Sequence, residues 1–379
     1  MRIETDRSRA WHATAIGGQI LEPKPVACSV SGLAAARQTG INSIQPATYR
    51  GIRQPVARTA RSSTLTDAYD DRSLPDSRFR PADTAALLDY PALLATLART
   101  VADYAAGKIV SPERLVVPLQ AGGVMLSMPS SAHDLAIHKL VNVCPGNAAR
   151  GLPTILGQVI ACDATTGEMR FVLDGPTVTG RRTAAVTALG VQALHGTPRD
   201  ILLIGTGKQA ANHAEAFTAL FPDARLHVRG SRAASAAEFC AAHRAHAPQL
   251  VPLDGDAIPD AIDVVVTLTT SRTPVYRDAA REGRLVVGVG AFTADAAEIA
   301  ADTVQHSRLV VDDPAGARHE AGDLIVANVD WQQVASLADV LNGTFARGGP
   351  MLFKTVGCAA WDLAACRTAR DALAAREQR

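Results

Sequence analysis

The sequence has little of what several function classes require. Its six cysteines (Cys28, Cys144, Cys162, Cys240, Cys358, Cys366) are scattered, with no CxxC spacing and no paired histidines. That excludes a zinc ribbon or a disulfide framework and reads as reduced thiols in a cytoplasmic protein; no metal site is expected. Charge of one sign is missing too: 38 Lys and Arg stand against 37 Asp and Glu, a net +1. Such a balance argues against nucleic acid or an anionic membrane as partner. Long apolar runs are absent. "DVVVTLTT" and "RLVVGVG" are strand-sized, well short of the ~20 residues of a membrane helix. Aromatic residues make up only 4%, with three tryptophans, too few for an aromatic cage.

A length of 379 residues with 47% apolar content gives two domains' worth of core. Residues 1–82 differ from the rest. "MRIETDRSRAWHATAIGGQI" lacks the apolar stretch and cleavage site of a secretory signal. "GIRQPVARTARSSTLTDAYDDRSLPDSRFRP" is rich in Arg, Ser, Asp and Pro without sustained periodicity. That composition is expected to give a disordered extension or to reflect a misassigned start.

From Asp83 onward periodicity returns. In "LDYPALLATLARTVADYAAGKI", Leu93, Leu97, Val101 and Tyr104 recur at helical spacing, with Pro91 suited to the first turn and Gly107 to the stop. "RLVVPLQAGGVMLSMPS" reads as two strands around Gly122-Gly123. "LAIHKLVNVCPGN" continues the strands, and "ATTGE" makes a hairpin within "TILGQVIACDATTGEMRFVLDG". "TGRRTAAVTALGVQALHG" reads as a helix. After it, strands "DILLIG", "RLHVRG", "IDVVVTLTT", "RLVVGVG" and "RLVVDD" alternate with helical or loop segments, the pattern of a parallel sheet covered on both faces. "AAWDLAACRTARDALAAREQ" is a final amphipathic helix, suited to return to the first domain or to pair with another subunit.

The alternation opens on Gly205-Thr206-Gly207-Lys208-Gln209-Ala210, a G-x-G-x-x-A turn between a strand and a helix. Gly205 permits the tight turn, Gly207 lets backbone approach a pyrophosphate, and Ala210 lets the helix sit close to the sheet. A lone motif of this kind is weak; here its strand–turn–helix context favours a dinucleotide over a merely structural turn. After the second strand comes Arg229-Gly230-Ser231-Arg232, with no acid before Glu238. Guanidinium and hydroxyl donors suit a 2′-phosphate, so NADPH is expected, with NADH possible. The bland alternative is that Arg229 and Arg232 are solvated loop charges.

"RRTAAVTALG", "LLIGTGKQA", "HKLVNVCPGN", "EAGDLI", "LADVLNG" and "LFKTVGCAAWDLAA" stand in an order that resembles the ornithine cyclodeaminase/mu-crystallin family, from about Asp83 to the C-terminus. Within that family the chain is most similar to bacterial reductases of cyclic imino acids. The resemblance implies an α/β fold in which a Rossmann NAD(P)-binding domain (197–330) is inserted in a split α+β substrate and dimerisation domain (83–196 and 331–379), as a homodimer. It also implies that Arg114, Lys139 and Arg182 grip a substrate carboxylate, with Lys139 and Arg182 catalytic, and that Met128 and Asp362 border the substrate. Cofactor contacts map onto Gly205, Gly207, Gln209, Ala210, Arg229, Ser231, Arg232, Thr269, Thr270, Val289, Thr183, Lys354 and Thr355. Without the resemblance, each cation would read as a surface ion pair.

Departures from the family pattern select the reaction. Cyclodeaminases resemble "GVIELMP" where this chain has "GVMLSMP", so Leu126 replaces a pocket glutamate. Their catalytic aspartate falls near Phe292, and Asp295 lies three residues on. A pocket without both carboxylates is poorly equipped to deprotonate an amine, but suits hydride delivery to an imine already formed. The expected activity is therefore NAD(P)H-dependent reduction of a small cyclic ketimine acid. The rivals are ornithine cyclodeaminase, alanine dehydrogenase, and a mu-crystallin-like NADPH binder without turnover. His133, Asp134 and His138 flank the lysine; hydrogen bonding or a core role is the reading for them, with His138 an outside candidate for substrate contact.

Overall fold

The computed structural model describes residues 78–378, so the reading of 1–82 as a disordered extension or misassigned start lies outside the described residues except at 78–82, where Arg78 bridges to Val172 and a helix already opens at Pro81. Two sheets organise the chain. The first is a five-stranded antiparallel meander: β1 (Leu115–Pro118), β2 (Val124–Ser131), β3 (Ala136–Val143), β4 (Ile155–Cys162) and β5 (Met169–Asp174), hydrogen-bonded in chain order. The second has eight parallel strands: β6 (Asp200–Ile204), β7 (Arg225–Arg229), β8 (Leu250–Pro252), β9 (Val264–Thr267), β10 (Leu285–Gly288), β11 (Arg308–Val311), β12 (Ala335–Ser336) and β13 (Met351–Lys354). Their order is β12-β11-β13-β10-β9-β6-β7-β8. The chain runs outward from β6 to β8 and then returns to β6's other side with β9. That reversal places a crevice at the carboxyl ends of β6 and β9, where doubly wound sheets bind ligands.

Apolar runs explain the second sheet. β9 and β10 are buried at every position, as strands covered on both faces must be. In the meander, burial alternates instead. Along β3, Ile137, Lys139 and Val141 are buried while His138 and Leu140 are exposed. Register then puts Leu115, Leu140 and Leu156 on the uncovered face, where they are 62%, 39% and 46% exposed.

Helices cover the other face. α1 (Pro81–Leu87) precedes α2 (Tyr90–Ala105), which is capped by Asp89, whose carboxylate accepts from Ala92 N–H at 3.2 Å. It buries Leu93, Leu97 and Val101 and is followed by Gly107 at φ +69°. α3 (Gly175–Leu194), capped by Asp174 at 2.9 Å from Thr177 N, is buried on nearly all sides and packs on β4 and α2. α4 (Lys208–Leu220) and α5 (Ala233–His243) follow β6 and β7, and α6 (Ala301–Gln305), α7 (Pro314–Glu320), α8 (Gly322–Val326) and α9 (Leu337–Leu341) fill the later crossovers. α10 (Ala359–Glu377) returns to lie on α2, α3, β2 and β3.

The return differs from the expected boundary at residue 330. β12 and β13 still belong to the parallel sheet, and β13 lies between β10 and β11; only α10 goes back to the meander. A four-residue strand behind "RGGP" has too little period to be seen in sequence. No single described helix is long and apolar enough to cross a membrane.

Candidate active site

Lys139 is placed by strand alternation. Its register partners are Met128 on β2 and Val159 on β4, all three buried on the helix-covered face of the meander. There its ammonium meets α10, whose first turn presents Asp362. Nζ lies 2.7 Å from Asp362 Oδ2, with 2% and 0% of the side chains exposed. Asp362 Oδ1 accepts from Arg182 Nε at 3.2 Å, and Arg182 comes from α3. One carboxylate thus joins two cations from two other elements. Burial pulls the Lys139 ammonium down to about 8; Asp362 resists that shift, while Arg182 and Arg114 add to it.

Arg114 reaches the same place from the loop before β1. Its Nη2 donates to the carbonyls of Gly357 at 2.6 Å and Val356 at 3.3 Å, and lies 2.8 Å from Glu320 Oε2. Gly357 is the meeting point of two guanidiniums. It adopts φ +74°, and a Cβ there would run into the guanidinium of Arg182; only glycine fits. Asp312 fixes this loop, accepting from Thr355 Oγ1, Val356 N, Gly357 N and Trp361 Nε1 at 2.7–3.0 Å.

Each arginine is therefore held by one corner. The Nε and Nη1 of Arg114 and both terminal nitrogens of Arg182 have no acceptor among the described residues. A planar carboxylate needs such free guanidinium edges. Neighbouring Arg181 is occupied elsewhere: Nε bonds Leu88 O at 2.9 Å, Nη1 reaches Glu215 at 2.6 Å, and its guanidinium covers the Tyr90 ring.

The glycine turn lies at the crevice. Gly205 has φ +132°, and a Cβ on it would lie 2.7 Å from Leu268 O, so glycine is required for β6 and the end of β9 to approach. Above Gly207 there is open space. The first α4 amide to find a helical acceptor is Ala211 N, on Gly207 O at 3.1 Å; the preceding N–H groups face outward with the positive end of the helix dipole. A cavity of about 680 Å³ at this edge is lined by Gly205, Arg229, Ser231, Asp256, Thr269 and Asp278, among others. A smaller one, about 180 Å³, adjoins Ser231 and Arg232. The Gln209 side-chain oxygen is buried without a partner. Turn, open helix end and cavity fit a dinucleotide.

Several expected cofactor residues are turned to other duties. The Lys354 side chain is fully buried, 2.5 Å from Ala291 O and 2.8 Å from Asp323, and the Thr355 hydroxyl is bound to Asp312. Both point into the protein because β13 runs inside the sheet. The Thr269 amide and hydroxyl bond Glu298 at 2.6 and 2.7 Å. Arg229 donates to Asp256 O and Val275 O at 2.8 and 3.0 Å, and burial lowers its guanidinium's pKa. Thr270 is exposed at the end of β9, while Val289, Ala210 and Thr183 are buried.

Sequence reasoning missed Glu298. Its buried carboxylate also accepts from Thr267 Oγ1, Gly290 N and Ala291 N at 2.6–3.0 Å. It joins the loops after β9 and β10, and a carboxylic acid between two strand ends gave no spacing signal. His138 faces away from Lys139 and bonds Ser127 at 2.8 Å, and Asp134 is held by Arg367 and Arg370. Phe292 is 46% exposed; Asp295 is paired with Arg272. Among the described residues, no three His, Cys, Asp or Glu side chains cluster to hold a metal.

The chain is 98% identical over 301 residues, 79% of its length, to Delta(1)-pyrroline-2-carboxylate reductase 1 of Burkholderia multivorans, covering 97% of that protein. It is 87% identical over 299 residues to a Delta(1)-pyrroline-2-carboxylate/Delta(1)-piperideine-2-carboxylate reductase of Azospirillum brasilense, with 79% and 96% of the two chains covered. Among solved structures, Thermococcus litoralis Delta(1)-pyrroline-2-carboxylate reductase, in complex with NADH and L-proline, has the same fold. It matches with a TM-score of 0.72 at 24% identity, over 79% of this chain and 98% of that one. An archaeal alanine dehydrogenase dimer with bound NAD matches at 0.71 and 24%, over 79% and 96%. The profile of the ornithine cyclodeaminase/mu-crystallin family matches residues 82–377, and the chain belongs to that family.

Proposed function

We propose that the protein reduces a cyclic ketimine carrying an α-carboxylate, Δ1-pyrroline-2-carboxylate or Δ1-piperideine-2-carboxylate, to L-proline or L-pipecolate. The observation that carries this reading is the convergence of Arg114, Lys139 and Arg182, each arginine with unpartnered donors. The 98% and 87% identity to proteins named for this activity supports it.

In this reading the free edges of Arg114 and Arg182, with the Lys139 ammonium, hold the carboxylate. Charge-assisted hydrogen bonds of this kind contribute about 1.5–3 kcal/mol each where water is excluded. Met128, beside Lys139, gives the ring an apolar wall. When bound, a reduced nicotinamide cofactor supplies the hydride. The residues' part is positioning, with reacting atoms about 3–3.5 Å apart. A C–H bond forms at the imine carbon, and the C=N π pair passes to nitrogen. If the iminium binds, its nitrogen already carries the proton; the neutral imine takes one from Lys139 or water.

NADPH is the proposed cofactor, because Ser231 and Arg232 border the cavity where a 2′-phosphate would lie. NADH is the second reading: Asp256 borders both cavities and offers a carboxylate to a ribose hydroxyl. Leu126 and Phe292 disfavour cyclodeamination, which needs a base at the amine. We also propose a homodimer, formed through the exposed apolar face of the meander, and a cytoplasmic setting, in keeping with the free thiols of the five described cysteines.

The test is nicotinamide absorbance decay with both ring sizes and both cofactors. Decay with either ring is expected. Ammonia release from ornithine with NAD would instead establish a cyclodeaminase, and cofactor binding without decay for either ring would establish a non-catalytic binder.

A further inference from the structure

A carboxylate grip needs cations, yet this one contains a second acid with no part in holding the substrate. Glu320 ends α7 and places Oε2 2.8 Å from Arg114 Nη2, with side chains 21% and 14% exposed. That oxygen is buried and has no well-directed hydrogen-bond donor. Burial raises the Glu320 carboxyl's pKa, and Arg114 opposes the rise. The contact therefore holds as charge against charge.

The charges in direct contact can be counted. Arg114, Lys139 and Arg182 are cations; Asp362 and Glu320 are the carboxylates touching them. One positive charge is left over. Two further acids stand behind them; their donors are uncharged, so they cancel none of the negative charge and leave the grip no more positive than this count. Asp312 is ringed by four, and Asp313 caps α7 and accepts from Tyr104 at 3.3 Å. Glu113 is 67% exposed beside His319.

We propose that Glu320 is a specificity-determining residue: together with Asp362 it holds the grip to no more than one positive charge, matching a substrate with a single carboxylate and rejecting dicarboxylic imines. The inference rests on the reductase reading for the kind of substrate and is independent of it for the charge of the site. In a site with little water, a second carboxylate beside Glu320 would meet like charge without a counter-ion, which raises its desolvation penalty.

Binding, not turnover, provides the test. Titration calorimetry on the whole protein, with and without NADP⁺, compares pyrrole-2-carboxylate with pyrrole-2,5-dicarboxylate. The 5-carboxamide of pyrrole-2-carboxylate controls for size. The wild type is expected to bind the monoacid and the amide at least tenfold more tightly than the diacid. Glu320→Gln should narrow the monoacid-to-diacid ratio at least tenfold, and Glu320→Asp should keep it. An unchanged ratio in Glu320→Gln overturns the proposal. So does a wild type that binds diacid as well as monoacid, or neither, even if the glutamine variant fails to fold. Imine reduction is measured alongside: its absence, with the charge preference intact, removes the reductase reading and leaves this inference standing.

Discussion

Lys139 and Asp362 meet as an ion pair 2.7 Å apart, sealed between β3 and the first turn of α10. An ammonium so enclosed is dominated by its loss of water. Its pKa falls to about 8, with Asp362 supplying the stabilising charge and Arg182 and Arg114 the repulsion. Affinity for a carboxylate ligand should be full below pH 8 and fall up to about tenfold per unit above it, as the charge is lost. Stability should move the other way. An unfolded lysine keeps its proton to about pH 10.4, so between the two values the unfolded chain binds more protons and this group's contribution to stability rises with pH. Calorimetric affinity for pyrrole-2-carboxylate and urea midpoints, both followed from pH 7 to 10, should show opposite slopes from this residue. Lys139→Met should flatten both; parallel slopes in the wild type would refute the assignment.

Replacing Asp362 by Asn keeps its shape and removes the charge between two cations. Breaking a buried pair by deleting one partner costs about 3–5 kcal/mol. Asp362→Asn should therefore lower the urea midpoint strongly and move the alkaline limb of carboxylate binding below pH 8. A limb that stayed in place would mean that Asp362 is not the partner that keeps Lys139 charged.

Glu298 reaches the crevice beside the glycine turn through the backbone. Its carboxylate accepts five donors from Thr267, Thr269, Gly290 and Ala291. A glutamine would turn an NH₂ group toward N–H donors, leaving buried groups unpaired at about 1–3 kcal/mol each. Glu298→Gln should weaken NADPH and NADH alike by roughly tenfold or more, with a smaller effect on pyrrole-2-carboxylate. Equilibrium binding of each ligand distinguishes this from a general loss of structure.

Much of this was legible from sequence, for identifiable reasons. The alternating β/α run after Asp200 and the glycine turn carry strong local signals, and α2, α3 and the hairpin around "ATTGE" obey period and capping rules. Lys139 and Arg182 were found by motif; their union through Asp362 joins residues 180 or more positions apart in the chain and has no local signature. β13 was missed because four residues give no period, and with it went the inward direction of Lys354 and Thr355. Glu298 and Glu320 look like ordinary surface acids until the loops they hold are seen in space.

Arg232 stands at the small cavity beside Ser231, exposed and without an acidic partner among the described residues. A charge-assisted contact to a 2′-phosphate is worth about 1.5–3 kcal/mol. Arg232→Ala should raise the KM for NADPH roughly 10- to 100-fold and leave that for NADH nearly unchanged. Equal effects on both cofactors would give the residue a role unrelated to the phosphate.

The uncovered face of the meander yields the last expectation. Leu115, Leu140 and Leu156 share it at 39–62% exposure, and fully burying a leucine is worth about 1.5–3 kcal/mol. In an interface with two-fold symmetry each substitution acts twice. Leu140→Asp adds a buried charge to the lost contact, so it should convert a dimer to monomer in sedimentation at micromolar concentration. Lys139 is the next residue along β3 but points to the opposite face, so the monomer should keep its carboxylate grip and bind pyrrole-2-carboxylate within a few-fold of wild type. A variant that stays dimeric would place the interface elsewhere. A monomer that loses all ligand affinity would mean the two faces of β3 are not independent.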